Sequence, residues 1–183
     1  MISPAKGTLL IANPFLQDPN FIRTVIFLCE HKEEGTFGFV LNKLFPKTLD
    51  ELISDLEDFK APVYYGGPVQ RDTIHFLHQY PDLIPGGEKV YDNIYWGGNF
   101  ESLVMNIKNY AIDFDKIKFF IGYSGWSAGQ LGEEMKEKTW LTVEATEKLI
   151  FHPNPDDIWK DSLKELGGEY EMMINFPIDP QLN

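Results

Sequence analysis

Ser124 stands in Gly122-Tyr123-Ser124-Gly125-Trp126, between a run with strand character and a run with helix character. A hydrolase elbow occupies such a place, but it reads G-x-S-x-G because the flanking glycines let the backbone make a strained turn. Trp126 fills the position of the second glycine. A triad in that chain order would also need an acid and then a histidine downstream, and here only glutamates followed by His152 are present. The pattern favours a tight turn packed by an aromatic side chain, with a serine hydrolase as the alternative.

Gly66-Gly67-Pro68-Val69 is a second candidate. Two glycines permit close backbone approach, and Pro68 drives Gly67 towards extended geometry, so the segment predicts a sharply defined turn or crossover. It lacks the endings that cradle phosphates. His75 and His78 are three apart in an alternating run and should point to opposite faces, while His31 lies among Glu30, Lys32, Glu33 and Glu34 in what reads as a solvated turn. Without a His/Cys pattern of ligand spacing or an acidic calcium loop, neither a metal nor a cofactor is expected. Gln130 and Glu134 share a helical stripe, with Glu134 placed to pair with Lys138. Beside a glycine-rich helix start, Gln130 could hold a carboxylate, a phosphate or a partner's backbone.

The elements that must position these residues follow from periodicity. Runs bounded by Gly, Pro and Asn predict strands at Thr8 to Ala12, Thr24 to Cys29, Thr36 to Leu41, Pro62 to Tyr65, Thr73 to His78, Val90 to Trp96 and Lys116 to Tyr123. Thr48-Leu49-Asp50-Glu51 has the form of a capping box before an apolar stripe of Leu49, Leu52, Ile53 and Leu56. Asn99 can cap a helix carrying Phe100, Leu103, Val104, Ile107 and Ala111. Further helices are predicted from Ser127 to Lys138 and from Pro155 to Leu166, the latter with Asn154 as cap and Gly167 as stop, and a short one from Val143 to Leu149. Strands crowd the first half and helices the second, which predicts an α+β fold with a mixed, strongly bent sheet flanked by four to five helices.

Length and charge bound the function. At 183 residues the chain fits one domain that needs no disulfide or metal to fold, spanning 1–183. The 28 acidic residues against 16 Lys and Arg leave a charge of −12, which opposes direct nucleic-acid binding and attachment to anionic lipid. The single Cys29 excludes an internal disulfide, no run is long enough for a membrane span, and the expected location is the cytoplasm.

Five blocks in order resemble the YqgE/AlgH family of bacterial proteins: Gly7-Thr8-Leu9-Leu10-Ile11-Ala12-Asn13-Pro14 with Asp18, Phe21 and the run to His31; Gly35 and Gly38 leading to Val40-Leu41-Asn42; Tyr65-Gly66-Gly67-Pro68-Val69; Gly122-Tyr123-Ser124-Gly125-Trp126; and Gly129-Gln130-Leu131 with Glu134 and Trp140. Gly132 departs from the family pattern, which usually has an acid there, and the ending from Phe176 to Asn183 looks lineage-specific. The resemblance implies a sheet bent into a partial barrel and a protein of the bacterial cytosol. It implies little about activity, since the family's transcriptional-regulator label rests on association. The leading expectation is a non-enzymatic binding or indirect regulatory module acting through an unknown protein or small-molecule partner. Its candidate surface comprises His31, Asn42, Gly66, Gly67, Pro68, Tyr123, Gly125, Trp126, Gln130 and Glu134, with a small-molecule enzyme such as a hydrolase as the alternative at the same surface.

Overall fold

In the computed structural model, which describes residues 1–178, the strand-forming runs build one sheet: β1 (Thr8–Ala12), β2 (Val25–Lys32), β3 (Gly35–Val40), β4 (Val63–Tyr65), β5 (Val69–His78), β6 (Glu88–Tyr91), β7 (Ile94–Trp96), β8 (Ile117–Ser127) and β9 (Trp140–Glu144). Six α-helices accompany it among the described residues: α1 (Leu49–Leu52), α2 (Phe100–Lys108), α3 (Gln130–Lys136), α4 (Glu147–Ile150), α5 (Ile158–Leu166) and α6 (Glu169–Met172). The ending expected to be lineage-specific lies, from Asp179 onward, outside the described residues.

The strand order is β6-β7-β5-β8-β3-β2-β1-β9, with β4 set beside β8. Every pairing is antiparallel except β4 with β8, so the sheet is mixed. It curls into a half-barrel: Val90 of β6 and Leu141 of β9, from the two ends of the order, share one apolar cluster. Ile158, Trp159 and Leu163 of α5 fill that concavity, and the Trp159 indole donates to the Ala12 carbonyl at 2.9 Å. On the outer side α2 covers β4, β5 and β8 through Leu103 and Ile107, while Leu131 of α3 packs with Trp126 and Trp140.

Several local expectations are corrected. The Gly122–Trp126 segment is not a turn: β8 runs on to Ser127, with Phe37 opposite Gly125 and Thr36 opposite Trp126. The predicted helix from Val143 to Leu149 gives way to β9 as far as Glu144, because the Thr146 hydroxyl accepts the Leu149 N–H and starts α4 only at Glu147. The Val90–Trp96 run is a hairpin, turned at Asp92-Asn93 with Asp92 at φ 49°. α1 stops at Leu52, because extended Ile53 precedes a 3₁₀ turn at Ser54–Leu56. The Ser127–Lys138 helix shortens to α3, since Ser127 is still strand.

The bend depends on a close approach of two backbones. Gly66 follows β4, and a Cβ there would lie 2.3 Å from the Gly122 carbonyl oxygen. Gly122, at φ +68°, has equally little room, 2.5 Å from the Gly67 oxygen. Gly122 also faces a bulge, since Val69 pairs with Tyr123 and Ile74 with Ile121, leaving residues 70–73 looped out of β5. A Gly122→Ala substitution should therefore lower unfolding stability by roughly 3 kcal/mol or more through combined strain and overpacking. Gly132→Ala, in open space on α3, should instead raise it by about 0.5 kcal/mol. Urea denaturation of both variants tests the contrast.

Candidate functional site

Past the Gly122 kink, β8 carries Tyr123 to the wall of a cleft of about 680 Å³. Phe37 and Phe39, two apart on β3, project to the same side, and β5 and β7 add His75 and Trp96. The rings meet edge to face where Phe37 lies 4.8 Å from Trp96 and 6.0 Å from Tyr123 and where His75 lies 6.0 Å from Tyr123, while His75 is tilted against Phe39 at 5.3 Å. Glu30, Lys32 and Glu34 line the cleft as well, with Lys32 paired to Glu30. Glu30 reaches this wall because a bulge at Cys29 puts it, rather than Cys29, opposite Phe37. Aromatic walls with few polar groups, at this size, suit a small molecule or one anchoring side chain of a partner.

The sequence-predicted site residues are distributed unevenly. Tyr123, Gly125 and Trp126 line the cleft. His31 is exposed beside it, with Nδ1 2.7 Å from the hydroxyl of Thr36, another lining residue. Asn42 is a backbone clamp, donating to the Arg23 carbonyl and accepting the Val25 N–H. Gly66 belongs to the backbone crossing, while Gly67 and Pro68 line a separate pocket of about 230 Å³ with Lys43 and Arg71. Phe37, Phe39 and Trp96 were not singled out from sequence, and His75 was weighed only with His78 as a metal ligand and left off the candidate surface. The alternation of Phe37 and Phe39 was a signal, but nothing local tells which strands lie beside them.

Gln130 and Glu134 reach the cleft only through Trp126. Glu134 Oε1 accepts the indole N–H groups of Trp126 at 3.2 Å and Trp140 at 2.9 Å, and Oε2 accepts from the Gln130 amide at 3.1 Å. Glu134 is thus a tie between β8, α3 and β9, not the expected ion pair with Lys138. Gln130 Oε1 in turn accepts the Ser127 N–H at 3.0 Å, so the amide is engaged within its own turn.

The hydrolase arrangement does not assemble. Ser124 is fully buried and its hydroxyl donates to the Gly66 carbonyl at 3.0 Å. His152 has neither nitrogen free for a serine: Nε2 is paired with Asp161 at 2.8 Å, which holds the Asp161 carboxyl below its ordinary range, and Nδ1 accepts the Asn154 N–H at 3.0 Å. His75 and His78 do point to different surroundings. Burial lowers the pKa of both, but His78 is fully engaged, with Nε2 2.7 Å from the Gly97 carbonyl and Nδ1 accepting the Tyr80 N–H. A larger groove of about 840 Å³ lies between the α1–β4 and α2–β8 connections, where Asp55, Glu57, Asp58, Asp113 and Asp115 rim an apolar floor of Leu56, Ile107 and Ile112. None of the sequence-predicted site residues lines it.

Away from the cleft, Lys118 is buried on the inner side of β8, with Nζ 3.1 Å from the Ile150 carbonyl and 4.2 Å from the Tyr64 ring centre. Burial brings its pKa down from 10.5 to about 7.

Two outcomes follow. Glu134→Ala leaves two indole N–H groups without their acceptor and should cost about 1–3 kcal/mol in urea denaturation, while Glu134→Gln, which keeps a carbonyl acceptor, should cost less. For Lys118, both folded and unfolded chains carry the proton below pH 7, so the burial penalty is fully present there. Between about 7 and 10.5 the unfolded chain binds more protons, so this group makes stability rise with pH. Lys118→Met should remove that rise from the unfolding curves and gain most over wild type below pH 7.

Comparison with known proteins agrees with this architecture. An AlgH-like family model matches residues 9–171. A UPF0301 protein of Chlorobium limicola is 42% identical over 177 residues, covering 97% of this chain and 95% of its own, and one from Cytophaga hutchinsonii is 37% identical over 179 residues, covering 97% and 98%. The solution structure of the AlgH protein from Pseudomonas aeruginosa superposes with a TM-score of 0.74 at 28% identity, covering 97% of each chain. A crystal structure from Corynebacterium diphtheriae, at 22% identity and TM-score 0.82 over 96% of this chain and 94% of that one, shares the fold. Taken with the curled mixed sheet and the ordered glycine and tryptophan blocks, these matches show that the chain belongs to the AlgH-like, UPF0301 family.

Proposed function

We propose that the protein is a non-enzymatic binding module of the bacterial cytosol that regulates indirectly, through a small ligand or a partner's anchoring side chain held in the aromatic cleft. The observation that carries this reading is the convergence of Phe37, Trp96, Tyr123 and His75 from four strands on one cavity of about 680 Å³. Rigid rings fixed by packing offer contact area without much loss of side-chain freedom on binding. Engagement of the Ser124 hydroxyl by the Gly66 carbonyl, and of both His152 nitrogens by Asp161 and the Asn154 N–H, supports binding over hydrolysis. The charge of −12, with Glu30 and Glu34 lining the cleft, supports a partner other than nucleic acid.

Protein-detected NMR with a library of aromatic fragments should shift the amides of Thr36, Phe37, His75, Trp96 and Tyr123 together, and Trp96→Ala should weaken the best fragment by about tenfold or more. Fragments that perturb only other surfaces would remove the basis for the reading. A DNA titration at low salt should show no sequence-dependent binding, and tight binding there would overturn the indirect mode of action.

A further inference from the structure

The hydrogen bonds around His75 determine which of its ring nitrogens is free. Thr73 has one hydroxyl proton, and the Gln70 carbonyl, which can only accept, takes it at 2.8 Å. His75 Nε2 lies 3.0 Å from the same Thr73 oxygen, so Nε2 must be the donor there. Burial favours the neutral imidazole, lowering its pKa from the ordinary value. A neutral ring protonated at Nε2 carries a lone pair at Nδ1. That nitrogen has no hydrogen-bond partner among the described residues, and it is not one of the buried side-chain atoms left unpaired, which are Arg23 Nε and Ser162 Oγ. It therefore keeps some contact with solvent, and His75 lines the aromatic cleft.

Resting on the cleft as a binding site, we infer that it takes a planar aromatic ring carrying an N–H or O–H group, neutral or cationic, with that group donating to His75 Nδ1. The chemistry of the lining selects each property. Phe37, Trp96 and Tyr123 offer ring faces and edges for stacking. Nδ1 accepts and cannot donate, so a ligand that presents only acceptors leaves it unpaired and desolvated. Glu30 and Glu34 outnumber Lys32, which Glu30 already neutralises, so an anionic ring enters against the local field. His78, three residues on, offers no such vacancy, since both its nitrogens are bonded.

Three probes separate the terms: indole, 1-methylindole, which lacks only the donor, and indole-3-acetate, which adds a negative charge. Followed by protein NMR, indole should bind in the cleft about tenfold more tightly than 1-methylindole, a difference typical of one good hydrogen bond, with indole-3-acetate weaker than indole. In His75→Phe the ratio of indole to 1-methylindole should fall to about one. Equal affinities in the wild-type cleft overturn the hydrogen-bond assignment while leaving the cleft as a site, whereas no shift of cleft residues by any probe overturns both. Should His75→Phe not fold, the ring ¹⁵N spectrum of wild type decides: a proton on Nε2 and a bare Nδ1 support the inference, and a proton on Nδ1 overturns it.

Discussion

Three glycines allow two stretches of backbone to lie closer than any side chain permits. Gly66 and Gly67 cross over Gly122, and a Cβ at any of the three would fall within 2.5 Å of a backbone oxygen. This crossing lets β4 run parallel to one half of β8 while β3 takes over the same edge for the other half. The Gly66 carbonyl joins the three elements, accepting from the Val40 N–H at 2.8 Å and from the Ser124 hydroxyl at 3.0 Å. Ser124, which by its sequence setting resembled a nucleophile, is part of this joint.

The cleft is a consequence of the same kink. Beyond Gly122 the strand continues towards β3, while β5 answers with a bulge, and the rings of Tyr123 and His75 are thereby turned onto the wall formed by Phe37 and Phe39. The residues looped out by that bulge are not idle: Thr73 fixes both the loop, through Gln70, and the tautomer of His75. The fold and the cleft wall thus share atoms, and a change at the crossing should be felt in the cleft. The Glu134 tie works from the other side, holding Trp126 where β8 ends and joining it to Trp140 on β9.

Charge limits what such a cleft can recognise. With a net −12 over the whole chain and carboxylates beside the aromatic walls, the long-range field attracts cationic partners and repels anionic ones. No helix among the described residues is long and apolar enough to cross a membrane.

Much of the fold was legible because its signals are local. Six of the seven predicted strands exist, β1 with its predicted ends, while the Val90–Trp96 run is the β6–β7 hairpin; the caps at Asn99 and Asn154 accept backbone N–H groups as expected. Glycine was harder to read, since Gly122 and Gly125 look like turn residues one at a time but sit in a strand when β3 and β5 are present to pair with it. The lining of the proposed cleft was legible only where it overlaps the family blocks, at Tyr123, Gly125 and Trp126. Phe37, His75 and Trp96 come from strands far apart in the chain, and their meeting depends on strand order, which periodicity does not encode. The sequence by itself thus determined most of the elements, the acidic field and the α+β class, because propensity, capping and charge are properties of short stretches. Only the tertiary structure decided the cleft, the free Nδ1 of His75 and the engagement of Ser124 and Glu134, because each depends on non-local pairings made once the sheet has curled.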